Sequence, residues 1–119
     1  MDPEENATDD PTLGGATLVR RYYDALDEHN YDALENALTA DFVQHRPDRS
    51  FDSREEFIEF MRKKRPEADT NHELESIVAS DAQVAVRGRV TEDEVTIFEF
   101  ADFFEITAGR LARLETYSR

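Results

Sequence analysis

The sequence predicts an α+β fold, in which helices cover one face of a curved antiparallel sheet. Apolar residues recur with the 3.6-residue period of a helix up to about residue 64, and with the two-residue period of a strand from about residue 72. Short turn sequences separate the strand-like segments, which favours hairpins and therefore antiparallel pairing. The 119 residues are enough for one hydrophobic core and too few for two.

Three helices are predicted in the first part of the chain, over residues 16–29, 31–38 and 53–64. In each of them, apolar side chains return at every third or fourth position and so form one face. Ser53 begins an S-x-x-E sequence, a capping box that satisfies free N–H groups at the start of a helix. Pro66 ends the third helix, because proline cannot continue its hydrogen bonding.

Four strands are predicted in the rest of the chain, over residues 72–80, 82–90, 95–106 and 110–117. Residues 91–94 and 108–109 are predicted to form hairpin turns between them. Between the second and third helices, residues 42–47 are predicted to be a loop or a short extended piece, because Arg46 precedes Pro47 and proline disfavours a helical residue before it.

Residues 1–15 are predicted to form an acidic, flexible tail. This segment is rich in proline, glycine and carboxylates and has almost no large apolar side chains, so it cannot contribute to a core. Residues 16–119 are predicted to form a single domain.

The charge balance argues against some partners. The chain has 28 Asp and Glu against 14 Lys and Arg, a formal net charge of -14, and this field repels nucleic acid and anionic membranes. Of the basic residues, only Lys63 and Lys64 are lysines. An acidic surface with so little lysine resembles the proteins of halophiles, where high salt screens self-repulsion. The alternative is an ordinary acidic protein.

Several kinds of chemistry are not expected. The chain has no cysteine, which excludes disulfides, thiolate catalysis and zinc–thiolate sites. The three histidines do not have metal-ligand spacing, and His72, at the start of a strand, is interpreted as structural or solvated. No cofactor is expected. No apolar run is long enough for a membrane span or a signal region, so a cytoplasmic protein is expected.

Three segments resemble the SnoaL-like and ketosteroid-isomerase-like branches of the nuclear-transport-factor-2-like superfamily. They are VRRYYDALDEHNYDALENALTADF, FVQHRP and ADFFEITAGRLARL, and the similarity extends over residues 17–118. The resemblance implies a cone-shaped, cystatin-like α+β barrel, whose curved sheet wraps around three helices and leaves a pocket open at one end. It also implies a homodimer formed through the sheet.

The strand sequence FEFADFFEI places one carboxylate on an apolar face. Alternate positions of a strand point to the same side, and here they are Phe98, Phe100, Asp102, Phe104 and Ile106. An unpaired charge on such a face costs several kcal/mol, so Asp102 needs a reason to be there. Burial raises the pKa of a carboxyl, which suits a base near neutral pH or a neutral hydrogen-bond donor.

The resemblance assigns roles to further residues. It places Asp102 on the acid/base aspartate of SnoaL-type cyclases and on the neutral aspartic acid of the ketosteroid isomerase oxyanion hole. Tyr22 falls on the isomerase tyrosine that donates to the dienolate oxygen, although a tyrosine at this spacing also suits a helix core. The isomerase base falls on Arg46, which cannot accept a proton. His45 beside it could act as a base or orient a ligand; the alternative is a solvated loop histidine.

The pocket face of the neighbouring strands depends on their register. If residues 91–94 form the turn, Val90 pairs with Val95, and Gln83 and Arg87 then share the pocket face with Asp102. The same arithmetic across residues 108–109 adds Glu115 and Tyr117. The predicted ligand-binding side chains are therefore the following: Arg87, Gln83, Phe100, Phe57 and Tyr117.

Two kinds of function remain open at this point. The first is proton transfer next to the carbonyl of a small, largely apolar ligand, in an isomerase, aldol-type cyclase or dehydratase, with Asp102 as the acid/base and Tyr22 and His45 assisting. The second is a non-catalytic domain of the same fold. As a binding domain it would hold Asp102 in an ion pair with Arg87 or Arg89; as a dimerisation module it would present an outer sheet face of valines: Val84, Val86 and Val90.

Overall fold

A computed structural model of the chain describes residues 14–64 and 69–119. It contains three helices, α1 (Gly15–Asp27), α2 (Tyr31–Ala37) and α3 (Arg54–Lys64). Its six strands are β1 (Leu38–His45), β2 (Ser50–Phe51), β3 (Thr70–Ala79), β4 (Gln83–Glu92), β5 (Val95–Thr107) and β6 (Arg110–Ser118). The predicted tail, residues 1–15, lies outside the described residues except for its last two, and Gly15 already begins α1.

The three predicted helices are confirmed, and their ends follow from local chemistry. After α1 the chain turns through His29, whose φ of 56° is left-handed. The Asn30 side chain then accepts a hydrogen bond from the Ala33 N–H at 3.1 Å and caps α2. Before α3, the Ser53 hydroxyl oxygen accepts from the Glu56 N–H at 3.1 Å, as the capping-box sequence predicts.

The sheet has the strand order β2-β1-β6-β5-β4-β3. Every neighbouring pair is antiparallel except β1 and β6, which are parallel. Of the two alternatives predicted for residues 42–47, a loop or a short extended piece, the structure has the extended one over residues 42–45, which form the end of β1. Pairing with β6, some 70 residues later, makes this segment a strand, and a local pattern cannot show such pairing.

The hydrophobic core lies between the three helices and the concave inner face of the sheet. Phe42, Phe57 and Phe104 are at most 1% exposed there. Val84, Val86 and Val90 are also buried on this inner face, at 2%, 2% and 6% exposure. The alternative in which these valines form an apolar outer face is therefore wrong. The architecture is the predicted α+β cone with a curved, unclosed sheet.

The register between β4 and β5 differs from the prediction by an odd number of residues. The turn is made by Asp93 and Glu94 alone, with left-handed φ values of 51° and 68°, and a bulge follows. Val90 therefore lies opposite Phe98 rather than Val95. Because an odd shift exchanges the two faces of a strand, the side chains predicted for the pocket point outward.

A second bulge, between β5 and β6, likewise changes which side chains of the strand face inward. The turn at residues 108–109 forms as predicted, but the register shifts by one residue between Glu105 and Ile106. Asp102 then lies opposite Thr116 instead of Glu115. Thr116 faces inward as a result, and Glu115 and Tyr117 lie on the outer face.

Among the described residues, no helix has the length and apolar character needed to cross a membrane.

Candidate active site

A cavity of about 520 Å³ opens between the helices and the inner face of the sheet. Its walls are mainly aromatic and aliphatic, with contributions from α1, α3, β4 and β5 that include Leu26, Phe60, Met61, Val90, Phe98 and Phe100. Phe100 thus lies where the sequence predicts a ligand-binding side chain. A cavity of this size and lining suits a small, largely apolar molecule.

Asp102 lies in the wall of this cavity and is 5% exposed. Two hydroxyl groups donate hydrogen bonds to its carboxylate: Tyr23 to Oδ2 at 2.5 Å and Thr116 to Oδ1 at 2.6 Å. The Thr116 oxygen in turn accepts from Nε2 of Gln44 at 2.9 Å. Four side chains from α1, β1, β5 and β6 therefore form one hydrogen-bonded row around the carboxyl group.

No arginine or lysine of the described residues forms an ion pair with Asp102. Arg87 and Arg89 lie on the outer face, where both are within 4 Å of glutamates of β3. Arg46 stands at the cavity wall and binds Asp48 at 3.2 Å. The predicted alternative in which Asp102 is locked to Arg87 or Arg89 is therefore wrong.

Burial raises the pKa of Asp102 above the ordinary value of an aspartate. The hydrogen bonds from Thr116 and Tyr23 and the nearby charges of His72 and Arg46 act in the opposite direction and offset part of this shift. The pKa of Tyr23 is raised as well, by burial and by the adjacent carboxylate. Tyr23 is thus a permanent donor, while Asp102 can exchange a proton.

The tyrosine that binds Asp102 is the neighbour of the predicted one. Tyr22 lines the cavity, with its ring centroid 5.1 Å from that of Tyr23 and 5.4 Å from that of Phe104. Both tyrosines are buried on α1. Since successive helix positions differ by about 100° in direction, two adjacent aromatic residues at the edge of the apolar face give no sequence signal that separates them.

Five of the predicted site residues do not line the cavity. Arg87 has a side chain that is 73% exposed on the outer face, where Gln83 and Tyr117 also lie exposed. His45 points away from its neighbour Gln44 and accepts a hydrogen bond from Arg113 at 3.3 Å. The odd register shifts place Gln83, Arg87 and Tyr117 on the outer face of the sheet. His45 lies on that face because successive residues of β1 point to opposite sides. Phe57 is fully buried behind Tyr22 and belongs to the core.

The sequence interpretation did not connect His72, which lines the cavity, with Asp27. The ring Nδ1 of His72 lies 2.6 Å from Oδ1 of Asp27, the last residue of α1. The other oxygen of Asp27 accepts from the His72 backbone N–H at 2.9 Å. The available signal was weak: an aspartate at the end of an amphipathic helix and a histidine at a strand start, 45 residues apart in the chain.

Metal binding has no support in the part of the chain that the structure describes, since no group of three or more His, Asp or Glu side chains there could hold an ion. The polar groups that line the cavity are instead suited to hydrogen bonding and proton exchange: two carboxylates, a guanidinium, an imidazole, an amide and several hydroxyls.

The fold and the cavity define a class of small α+β proteins with a pocket between a curved sheet and three helices. The sequence profile of the SnoaL-like domain matches residues 19–114, more than half of the chain. The chain therefore belongs to the SnoaL-like domain family, one of the two branches that the resemblance named. A comparison with curated proteins finds no match.

Several solved structures share this fold. One is an NTF2-like protein of unknown function from Cytophaga hutchinsonii, 17% identical, with a TM-score of 0.73 over 86% of this chain and 87% of that one. Another is a provisionally assigned ketosteroid isomerase from Kribbella flavida, 18% identical, with a TM-score of 0.77 over 87% and 76%. A third is an LEH-like epoxide hydrolase of M. tuberculosis, 18% identical, with a TM-score of 0.75 over 87% and 80%. At these identities the similarity shows the fold alone.

Proposed function

We propose that this protein binds a small, largely apolar carbonyl compound in the cavity and transfers a proton at the carbon next to the carbonyl. Isomerisation, aldol-type ring closure and dehydration all include such a step. The observation that carries the proposal is the setting of Asp102, a carboxyl group of raised pKa that lies in an apolar cavity, accepts hydrogen bonds from two hydroxyls and forms no ion pair with an arginine or lysine of the described residues.

Asp102 would act as the acid/base. A base works best when its pKa lies near the working pH, and burial moves an aspartate in that direction. The hydrogen bonds from Tyr23 and Thr116 hold the carboxyl group in one orientation, which places it for reaction without a reorganisation cost. Tyr22 lines the same cavity and stays a candidate donor to the oxygen of the ligand.

The second candidate function is ligand binding without catalysis, and one observation favours it. Both oxygens of Asp102 already accept a hydrogen bond, so the carboxyl group could serve only to join α1 to β6. The two candidates differ in one respect: only the first requires a proton to leave the ligand. The names of the structural neighbours, which include an isomerase and an epoxide hydrolase, support a small-molecule pocket but do not choose between these candidates.

A general assay of proton transfer tests the proposal without knowledge of the natural substrate. The probe is 2-tetralone, a compact apolar ketone with acidic protons beside its carbonyl, and the readout is exchange of these protons in D2O, followed by ¹H NMR. We expect the protein to accelerate exchange over buffer, and Asp102→Asn to reduce this acceleration by about 100-fold or more.

The matched control is Asp41→Asn, which removes an exposed carboxylate of β1 and should leave the exchange rate unchanged. Both variants should bind 2-tetralone, as judged by chemical-shift changes of the cavity residues. If the unmodified protein binds 2-tetralone and does not accelerate exchange, or if Asp102→Asn exchanges as fast as the unmodified protein, the proposal is wrong and ligand binding alone is the better function.

A further inference from the structure

The second polar group at the cavity is the pair formed by Asp27 and His72. Two hydrogen bonds join them, from the ring Nδ1 to Oδ1 at 2.6 Å and from the backbone N–H to Oδ2 at 2.9 Å. Both side chains are largely buried, at 14% and 13% exposure. A single carboxylate therefore fixes both the backbone and the ring of one histidine.

This arrangement decides which ring nitrogen of His72 is available for proton exchange. A carboxylate accepts and does not donate, so Nδ1 keeps its proton whether the ring is neutral or protonated, and Nε2 is the nitrogen that gains or loses one. The ring is held against two aromatic cavity residues, with its centroid 5.1 Å from that of Tyr23 and 5.6 Å from that of Phe100. Within residues 14–64 and 69–119, no group forms a hydrogen bond with Nε2.

We infer that His72 is a second proton-transfer group of this cavity, that its Nε2 binds the oxygen of the ligand, and that Asp27 is its positioning residue. The inference rests on the proposed function, since it concerns the same cavity and the same proton transfer. The role of His72 narrows the class of ligand to compounds whose carbonyl or enol oxygen reaches Nε2 while the adjacent carbon reaches Asp102.

The two groups together complete the transfer without a co-reactant. The Asp102 carboxylate takes the proton from the carbon, and the electron pair of the C–H bond becomes a carbon–carbon double bond. The π pair of the carbonyl moves to its oxygen, which takes a proton from Nε2–H of the protonated ring. The ligand is then an enol, Asp102 is neutral and His72 is neutral. Return of the proton to the same or another carbon restores both residues.

Tyr23 lies between the two groups. Its ring packs against His72 and its hydroxyl binds Asp102. Asp27 and Tyr23 of α1 are the titratable groups in contact with the imidazole, and Asp102 of β5 lines the same cavity, as do Arg46 and Asp48 after β1. A single apolar ligand could thus contact an acid and a base that approach it from different strands, which is the arrangement that concerted enolisation needs.

The first test is ¹⁵N NMR of the histidine rings during a titration with 2-naphthol, a stable mimic of an enol. We expect Nδ1 of His72 to be protonated in the free protein, and the Nε2 signal to move on saturation by far more than any signal of His29, which lies outside the cavity. In Asp27→Asn, one amide oxygen cannot serve both donors of His72, so the two tautomers should mix. His72→Gln assigns the signals.

The second test uses the exchange of 2-tetralone protons. His72→Gln should lower the rate by about 100-fold, the size of a general acid's contribution. The control is His29→Asn, which keeps the ligand site and suits the left-handed φ of 56° at that position, and it should leave the rate unchanged.

The outcomes separate this inference from the proposed function. An Nε2 signal that stays fixed at the solubility limit of 2-naphthol overturns the inference, and so does an unchanged exchange rate in His72→Gln. If the Nε2 signal moves and the unmodified protein exchanges no protons, the proposed function fails, whereas the contact between His72 and the ligand oxygen is supported.

Discussion

Strand β5 carries one carboxylate on its outer face and one on its inner face, and the surroundings of these two carboxylates differ. Glu99 lies on the outer face, about half exposed, and accepts a hydrogen bond from Arg119 at 3.0 Å. Asp102, three residues later, lies on the inner face, 5% exposed, and is held by hydroxyls only. Among the described residues, an arginine thus forms an ion pair with the carboxylate that water already screens, and no arginine or lysine forms one with the buried carboxylate.

This difference supports the proposal that the inner carboxylate exchanges protons with a ligand. A buried acid that served only structure would be expected to have a cation beside it, because breaking or omitting such a pair is costly. The arginines of β4 instead pair with Glu73 and Glu75 on the outer face. Asp102 consequently keeps a raised pKa, which an ion pair would have removed.

The largest expected effect is on the free energy of unfolding, and it differs between two adjacent residues of β5 that lie on opposite faces. Phe104 is 1% exposed in the core and Phe103 is 49% exposed on the outer face. Phe104→Ala should lower the free energy of unfolding by about 3 to 5 kcal/mol, because it leaves a cavity in a packed core. Phe103→Ala should cost far less. Urea denaturation followed by circular dichroism gives both values.

The same pair of variants also examines the predicted homodimer. The outer face exposes Phe103 next to Tyr117, with ring centroids 5.9 Å apart, and a second copy packed on the sheet would cover both. The dimer stays a prediction. If it forms, Phe103→Ala should lower stability in a way that depends on protein concentration, and sedimentation should show a larger monomer fraction. Equal, concentration-independent losses in both variants would contradict the contrast between the two faces.

The intermediate effect concerns the pH dependence of stability. An unfolded aspartate has a pKa of about 3.9, and burial raises the pKa of Asp102 in the folded protein. Between these two values the folded state binds more protons than the unfolded state, so the contribution of Asp102 to stability is greatest below about pH 4 and is lost as the pH rises through its raised pKa.

The measurement is the difference in the free energy of unfolding between the unmodified protein and Asp102→Asn, taken at several pH values. This subtraction removes the common effect of the net charge of -14. The difference should shift in favour of the variant as the pH rises from about 4. A shift in the opposite direction would mean that the donors Tyr23 and Thr116 stabilise the carboxylate by more than its burial costs.

The sequence was sufficient for the general architecture, because helix and strand periods and a capping box are local signals. The three helices, the four-stranded meander and the inward position of Asp102 are all readable from residues close together in the chain. The full length of strand β1 was not, because its long partner among the described residues is β6 and the two meet through parallel pairing. Arg46 before Pro47 indicates an extended residue but shows no sheet partner, so a loop and a short extended piece both stayed open.

The sequence predicted three residues that line the cavity, Asp102, Tyr22 and Phe100, and missed the others. A bulge between Val90 and Thr91 and another between Glu105 and Ile106 decide which side chains of β4 and β6 reach the cavity, and neither has a clear sequence signature. Thr116 was missed for this reason. His72 was missed for another: its role depends on a carboxylate at the end of α1, a contact between distant segments that spacing does not show.

The smallest expected effect is that of an outer-face ion pair. Arg89 donates from Nε and Nη2 to the same oxygen of Glu73, at 3.1 and 2.8 Å, while both side chains are nearly half exposed. The pair raises the pKa of Arg89, but a guanidinium is charged at any working pH, so no pH dependence should follow.

Arg89→Gln should therefore leave the urea midpoint almost unchanged, and any small loss should vanish in 1 M salt, where charges on the surface are screened over about 3 Å. Proton exchange of 2-tetralone should be unaffected, because Arg89 does not reach the cavity. A loss that persists in high salt would indicate that the outer face contributes packing as well as charge, for example through a second copy seated on the sheet. The contrast between a functional inner face and a merely solvated outer face would then have to be abandoned.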